Sequence, residues 1–259
     1  MHRTEIVVVI SGAGRGIGAE IAHRLGRSGA RVVVNYRSNR TAAHEVVENI
    51  RAAGGQAHAV AGDVTNPRDV ATLLTATKNV FGRIDVLVCN ANTVSPPLAD
   101  IESLSWSLFE SKVVGELAAA YHLTQQVLPT MREQSCGSIV YISSTSADYV
   151  GPGRLAHGTA KAALITFAGH VAAHGAAFGV TVTTIAPGAA RTDATAGSLP
   201  PDVLKRLADK SILGRATEPE DIANLVATVL DPAMRIAPGS VLRADGGFGL
   251  LAGGPAAPR

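Results

Sequence analysis

Apolar runs of strand length recur along the chain with helical stretches between them: EIVVVIS (5–11), RVVVNY (31–36), QAHAVAG (56–62), IDVLVCN (84–90), GSIVYISS (137–144), VTVTTIAP (180–187) and GSVLRADGG (239–247). Seven strands are predicted. The near-continuous Val and Ile character of the first, second, fourth and fifth is that of strands buried on both faces. Together with strand–helix alternation it predicts an α/β fold, a parallel, doubly wound sheet of Rossmann type. Ligands of such sheets bind at the carboxyl edge where strand order reverses, so chemistry is expected just after strands. A chain of 259 residues suits one large domain. Residues 1–250 are assigned to it, with a Gly-, Pro- and Ala-rich tail at 251–259. The irregular stretch from Arg191 to about Ser211 is the candidate substrate lid.

Composition narrows the function classes. Hydrophobic residues make up 46% of the chain and charged residues 17%, and a net charge of +2 is too small to suggest a nucleic-acid partner. No apolar run approaches the ~20 residues of a membrane-spanning helix, and the start of the chain lacks a cleavable signal pattern, so a soluble, cytoplasmic protein is expected. Cys89 and Cys136 have neither metal-ligand nor C-x-x-C spacing and are expected to be reduced and structural. His170 and His174 lie four apart on a helix, but without a third ligand they signify packing or solvent rather than a metal site.

The first strand is followed by Gly12, Gly14, Gly16 and Gly18, leading into a helix whose apolar Ile17, Ile21 and Leu25 share one face. Glycines permit a tight turn and close approach of backbone to a pyrophosphate, and a helix N-terminus offers unpaired N–H groups and a positive dipole end. In this context the turn reads as a dinucleotide site. An NAD site usually carries an acidic residue at the end of the second strand. Here Asn35, Tyr36, Arg37 and Ser38 occupy that turn, and Arg37, Ser38 and Arg15 can form a cradle for the extra phosphate of NADP(H). Asp63, before Val64, suits either an adenine contact or a helix cap, for which Thr65 and Asn66 are also available.

Over nearly its whole length the chain resembles the short-chain dehydrogenase/reductase family. The likeness rests on Gly12, Gly16 and Gly18, on Asp63-Val64, on an altered strand-end motif at Cys89 to Asn92, on Pro187-Gly188 followed by Thr192, and on the PEDIA (219–223) and DGG (245–247) segments. The resemblance implies a nicotinamide cofactor and a homodimer or homotetramer built from long helices. It extends the candidate cofactor contacts to Gly12, Arg15, Gly16, Ile17, Gly18, Tyr36, Arg37, Ser38, Asp63, Val64, Asn90, Lys161, Pro187, Gly188 and Thr192. It also implies a catalytic asparagine, serine, tyrosine and lysine. Ser144, with Ser143 as the adjacent fallback, and Lys161 match the serine and lysine. His157 stands where the tyrosine belongs and Glu116 where the asparagine belongs; Cys89, Asn92 and Thr183 are further departures.

The departures bear on proton supply. In carbonyl reduction hydride reaches carbon while a proton must reach the developing alkoxide, a contribution of ~100- to 10,000-fold. His157 and Lys161 are four apart and share a helix face, but imidazole is shorter than phenol and its cation is disfavoured by a neighbouring ammonium. Three readings stay open for His157: substitute acid, passive pocket residue, or part of a scaffold without redox chemistry. Glu116 is either a buried, protonated relay, an ion-pair partner of Lys161 or a surface residue. Tyr149, in the loop after Ser144, is a stand-in donor, whereas Tyr141 is expected in the core. The expected activity is NADPH-dependent reduction of a polycyclic aromatic, quinone-like or polyketide-type ketone, a substrate that stabilises its own oxyanion, in secondary metabolism. The alternative is a non-redox protein on the same scaffold: an isomerase, cyclase, dehydratase or NADPH sensor.

Overall fold

A computed structural model describes residues 6–190, 205, 208–248 and 250. Thr192, the tail at 251–259 and most of the candidate lid lie outside the described residues. The strands are β1 (Val7–Ile10), β2 (Arg31–Tyr36), β3 (Gln56–Ala61), β4 (Val86–Cys89), β5 (Gly137–Ile142), β6 (Val180–Pro187) and β7 (Val241–Ala244). They form one sheet in the order β3-β2-β1-β4-β5-β6-β7, parallel at every pairing. The expected doubly wound Rossmann-like sheet is therefore what the chain builds, and the order reverses between β1 and β4.

Alternation along the strands divides the core into two layers. Val8 and Ile10 of β1 face one cluster with Ile21 and Leu25 of α1 (Gly16–Arg27), Val46 and Ile50 of α2 (Arg40–Ala52), and Ile222 and Val226 of α6 (Pro219–Val229). Val9 faces the other, with Leu73 of α3 (Pro67–Phe81), Leu123 and Val127 of α4 (Trp106–Glu133), and Leu164 and Val171 of α5 (Leu155–Ala176). The period-2 geometry of a strand causes this split, and each fully buried Val, Ile or Leu contributes about 1.5–3 kcal/mol.

Local chemistry sets the helix starts. The side chains of Asn39, Asn66 and Ser105 accept hydrogen bonds from Ala42, Arg68 and Leu108 N–H groups at the starts of α2, α3 and α4. Glu218 and Asp221 form a reciprocal capping box at α6, with Pro219 following the cap. Among the described residues no helix is long and apolar enough to cross a membrane.

Candidate active site

At the edge where a cofactor is expected, polar side chains tie three strand ends to the glycine turn. Asn35, buried at the end of β2, accepts from Gly12 N–H (3.3 Å) and donates to the carbonyls of Val60 (3.3 Å) and Gly62 (3.1 Å). Asn90 donates to the carbonyls of Ser11 (3.0 Å) and Gly12 (3.1 Å), and its own N–H and that of Ala91 donate to Ser11 Oγ (2.9 and 3.1 Å). Gly18 packs against this knot: a Cβ there would lie 2.5 Å from Asn90 Nδ2 and 2.6 Å from the Gly12 carbonyl. Asn90 thus shapes the turn from beneath. Unlike α2, α3 and α4, α1 begins without a side-chain cap; exposed Arg15 at the cap position makes no such bond. The N–H groups of Ile17 and Gly18 find no acceptor among the described residues, as expected of an uncapped helix start.

Beyond β2, Tyr36 is half-buried with its ring edge-on to His44, whereas Arg37 and Ser38 are exposed. Arg37 leans toward the third strand: Nη1 is 3.7 Å from Asp63 Oδ2 and donates to the Thr93 carbonyl at 3.5 Å. Asp63 accepts from Thr65 N–H (2.9 Å) and Thr65 Oγ1 (2.7 Å). Burial works to raise its pKa, but the Thr65 hydrogen bonds and Arg37 prevail and hold the carboxyl below the usual range. The helix that follows is capped by Asn66 instead, and Val64 is buried. On the far side, Pro187 closes β6, and Gly188 N–H donates to the Ala244 carbonyl (2.9 Å).

The chemical side is built around three buried charges. Glu116 Oε1 accepts from Lys161 Nζ and Oε2 from Lys112 Nζ, both at 2.5 Å, with Lys112 fully buried and Glu116 and Lys161 nearly so. Lys112 also donates a short hydrogen bond to Asn92 Oδ1, and Lys161 donates to the Ile142 carbonyl at 2.8 Å. The result is one chain of contacts, Asn92–Lys112–Glu116–Lys161–Ile142. Burial drives the Glu116 carboxyl upward, yet the two ammoniums outweigh it and its pKa lies below the ordinary value. Burial lowers Lys112, against the pull of Glu116. Glu116 is thus a carboxylate engaged by two ammoniums, with no proton to relay.

Ser143 and Ser144 differ in their commitments. Ser143 Oγ is buried and donates to the Lys161 carbonyl (3.0 Å), joining β5 to α5. Ser144 is half-buried and accepts from Ser146 N–H (3.1 Å) at the head of a 3₁₀ turn, Thr145–Ala147. That turn sits directly on α5: a Cβ on Gly158 would lie 2.7 Å from the Ser146 carbonyl. A glycine beside His157 therefore lets the Ser144 turn close onto the His157 end of the helix.

His157 is half-buried, and its imidazole makes no hydrogen bond to any described residue. Burial, followed by Lys161 and Lys112, brings its pKa down to about 4; Glu116 opposes the shift and Arg154 adds to it. Its imidazole is neutral at pH 7. Tyr149 turns the other way, its hydroxyl donating to the Phe248 carbonyl (3.1 Å) while Arg243 donates to it (3.4 Å). Tyr141 is core, paired with Thr124 Oγ1 at 2.5 Å and edge-on to Phe167. Cys89 and Cys136 are free thiols, and burial drives Cys89 well above the usual thiol range. His170 and His174 are exposed, and no cluster of metal-ligand type occurs among the described residues.

Sequence reasoning missed Lys112. A Lys and a Glu four apart on an amphipathic helix look like a solvated pair; the available signal was that, if Glu116 faces the pocket, Lys112 one turn earlier shares its face.

Known proteins bear out the architecture. The family described as enoyl-(acyl carrier protein) reductase matches residues 12–249. An uncharacterized oxidoreductase of Methylorubrum extorquens is 37% identical, over 93% of this chain and 96% of its own. A 3-oxoacyl-[acyl-carrier-protein] reductase of Synechocystis is 35% identical, over 95% and 97%. The 7alpha-hydroxysteroid dehydrogenase of Escherichia coli is 32% identical, over 92% of each. A structure of 7 alpha-hydroxysteroid dehydrogenase complexed with NADH and 7-oxo glycochenodeoxycholic acid superposes with a TM-score of 0.90 at 30% identity, covering 95% of this chain and 96% of that one. The glycine turn after β1, the reversal of strand order beside it and the match across residues 12–249 agree: the chain belongs to the short-chain dehydrogenase/reductase family of oxidoreductases.

Proposed function

We propose that the protein is an NADPH-dependent carbonyl reductase in which neutral His157 takes the place of the family's tyrosine as hydrogen-bond donor to the substrate oxygen. The observation that carries this reading is the state of His157: neutral, without a hydrogen-bond partner among the described residues, and one helical turn before an ordered Lys161. The relatives support keto–alcohol chemistry, being named as a 3-oxoacyl reductase and a hydroxysteroid dehydrogenase.

The chain fits a nicotinamide dinucleotide. The free N–H groups of Ile17 and Gly18 at an uncapped helix start suit a pyrophosphate, with Gly12 and Gly16 beside them. Arg37, exposed and joined to Asp63 only across 3.7 Å, is available to the 2′-phosphate of NADPH, with Arg15 and Ser38. Lys161 has given two of its three N–H donors to Glu116 and Ile142, leaving one for the nicotinamide ribose. Pro187, Gly188 and Thr192 complete the proposed nicotinamide side. When bound, the cofactor supplies hydride.

Ser144 and His157 then hold the carbonyl oxygen. With a pKa of about 4, only about one His157 in a thousand is imidazolium at pH 7, so its part is to donate a neutral N–H to the oxyanion rather than to deliver a proton. Glu116, ionised between two ammoniums, holds Lys161 in place, and water protonates the oxygen. Such a site works best on a ketone whose oxyanion is delocalised, which favours polycyclic aromatic, quinone-like or polyketide-type substrates and a place in secondary metabolism. Apolar side chains left open at the carboxyl edge, Leu98, Ile101, Val150, Ile212 and Leu213, suit an apolar substrate. Trp106, Val114 and Tyr121, exposed along α4, suit a homodimer or homotetramer.

The test is incubation with NADPH deuterated at the reactive carbon and a panel of simple ketones, quinones and polycyclic aromatic ketones. Deuterium in an alcohol product is the expected result. NADPH binding without deuterium transfer across the panel would instead favour the non-redox alternative, an isomerase, cyclase, dehydratase or cofactor sensor.

A further inference from the structure

The most unusual feature of the chemical side is a second lysine, wholly removed from solvent, on a helix whose buried face carries only Glu116 and Thr124 as further polar residues. We propose that Lys112 is a positioning residue of the active site: clamped between Asn92 and Glu116, it fixes the carboxylate whose other oxygen holds the Lys161 ammonium. The inference rests on the reading of Lys161 as the nicotinamide-ribose donor.

Glu116 uses its two oxygens separately, one for each lysine at 2.5 Å. A carboxylate bonded at one oxygen only can rotate about its terminal torsion, which is broad and roughly two-fold. Bonded at both, it is fixed in plane. Lys112 is itself held from a second side, because Asn92 Oδ1 accepts from it while Asn92 Nδ2 donates to Ser95 Oγ at 2.9 Å. Asn92 stands in the segment leaving β4, so the clamp ties that strand end to α4, and through Glu116 to α5. Lys161 receives the end result: with Glu116 and the Ile142 carbonyl both immobile, its remaining N–H has one direction.

Glu116 with Lys161 alone would be a neutral pair; adding Lys112 leaves the buried cluster with a net charge of +1. The charged and titratable groups around it are Cys89 at the end of β4, which stays a thiol, and Arg154 and His157 on the α5 side. None of these supplies a second anion. A surplus cation beside the carbonyl edge costs desolvation, and favours the negative charge that develops there during reduction. The cost is offset by full hydrogen bonding of Glu116 and by Asn92. Asn92, Lys112, Glu116 and His157 thus belong to one physical unit: the residue in the tyrosine position is a neutral donor, and the positive charge that a protonated histidine would bring is carried one shell away by lysine.

The experiment compares Lys112→Met, Asn92→Ala and Lys161→Met with the parent protein. Two ligands are titrated: the preferred dinucleotide, NADPH or NADH, and its adenine-ribose fragment, 2′,5′-ADP or AMP. Lys112→Met is expected to weaken the dinucleotide about 10-fold while leaving the fragment within about twofold, because only the dinucleotide reaches Lys161. In the same variant the His157 C2–H resonance, assigned with His157→Gln, is expected to titrate at higher pH than in the parent, since one of the cations facing it is gone. Equal losses for dinucleotide and fragment, or no loss with an unmoved His157 midpoint, would overturn the positioning role. Asn92→Ala loosens the same clamp without altering charge; it is expected to weaken the dinucleotide about threefold, and it decides the matter should Lys112→Met not fold. Lys161→Met separates the two layers of inference. If it leaves dinucleotide and fragment affinities in their parental ratio, the assignment of Lys161 to the ribose fails whatever Lys112 does.

Discussion

The two halves of the carboxyl edge are organised by opposite means. Around the glycine turn, neutral amides and a hydroxyl, Asn35 at the end of β2, Asn90 after β4 and Ser11 after β1, stitch strand ends together and leave backbone N–H groups at the start of α1 open. On the β4–β6 side, three charged side chains are buried in contact, and each lysine donates to two acceptors. The first arrangement gives a rigid cradle whose binding groups are backbone, tolerant of most side-chain change. The second concentrates its order in a few charges, so loss of Glu116 leaves two ammoniums without their anion. Under the proposed function, recognition of the cofactor and control of the reaction's charge fall to separate physical systems that meet at Lys161.

The charged side is most sensitive at Glu116. Glu116→Gln leaves two buried ammoniums facing each other without their carboxylate, and should cost about 3–5 kcal/mol of stability in denaturant unfolding. A loss under 1 kcal/mol would mean that the cluster is better solvated than its burial implies.

His157→Phe removes the neutral donor without touching either scaffold. Turnover is expected to fall about 100-fold with dinucleotide affinity nearly unchanged; unchanged turnover would remove His157 from the mechanism. The same variant carries a pH signature. The imidazole stays neutral in the fold down to about 4 but takes a proton near its ordinary 6.5 when unfolded. Between those values the unfolded chain binds more protons, so stability falls as pH drops from 6.5 toward 4. In His157→Phe the part of that slope due to the imidazole should vanish, and a slope identical to the parent's would contradict the lowered pKa.

On the cofactor side, Asn90→Ala strips donors from the Ser11 and Gly12 carbonyls and should cost about 1–3 kcal/mol, with weaker dinucleotide binding and no change in the His157 midpoint. A moved midpoint would show that the two halves are coupled. The smallest effect is expected at Arg37. Its pairing with Asp63 is long and exposed, so Arg37→Ala should leave stability unchanged and weaken NADPH about 10-fold while sparing NADH. Equal losses for the two cofactors would argue against a phosphate cradle.

Much of the architecture could be read from the chain because it depends on short-range patterns. Val and Ile runs mark strands buried on both faces, alternation within them assigns each residue to one of two core layers, and glycines between β1 and α1 mark the turn. Asn39, Asn66, Pro67 and the Glu218–Asp221 box announce helix starts by residue type alone. The same patterns place Glu116, Ser144, His157 and Lys161 near the carboxyl edge. What they cannot decide is which of several possible partners a polar side chain takes. Glu116 reads equally as a protonated relay or an ion-pair member until Lys112 and Lys161 are seen on either side of it. Residue type and position suggest a cofactor contact for Asn90 and a spare acid in Tyr149, but that the Asn90 amide lies under the glycine turn and the Tyr149 hydroxyl on the Phe248 carbonyl is decided by the fold. Secondary structure follows from periodicity along the chain. Protonation and hydrogen-bond partnership follow from distances between residues tens of positions apart, and only packing of the sheet against α4 and α5 sets those.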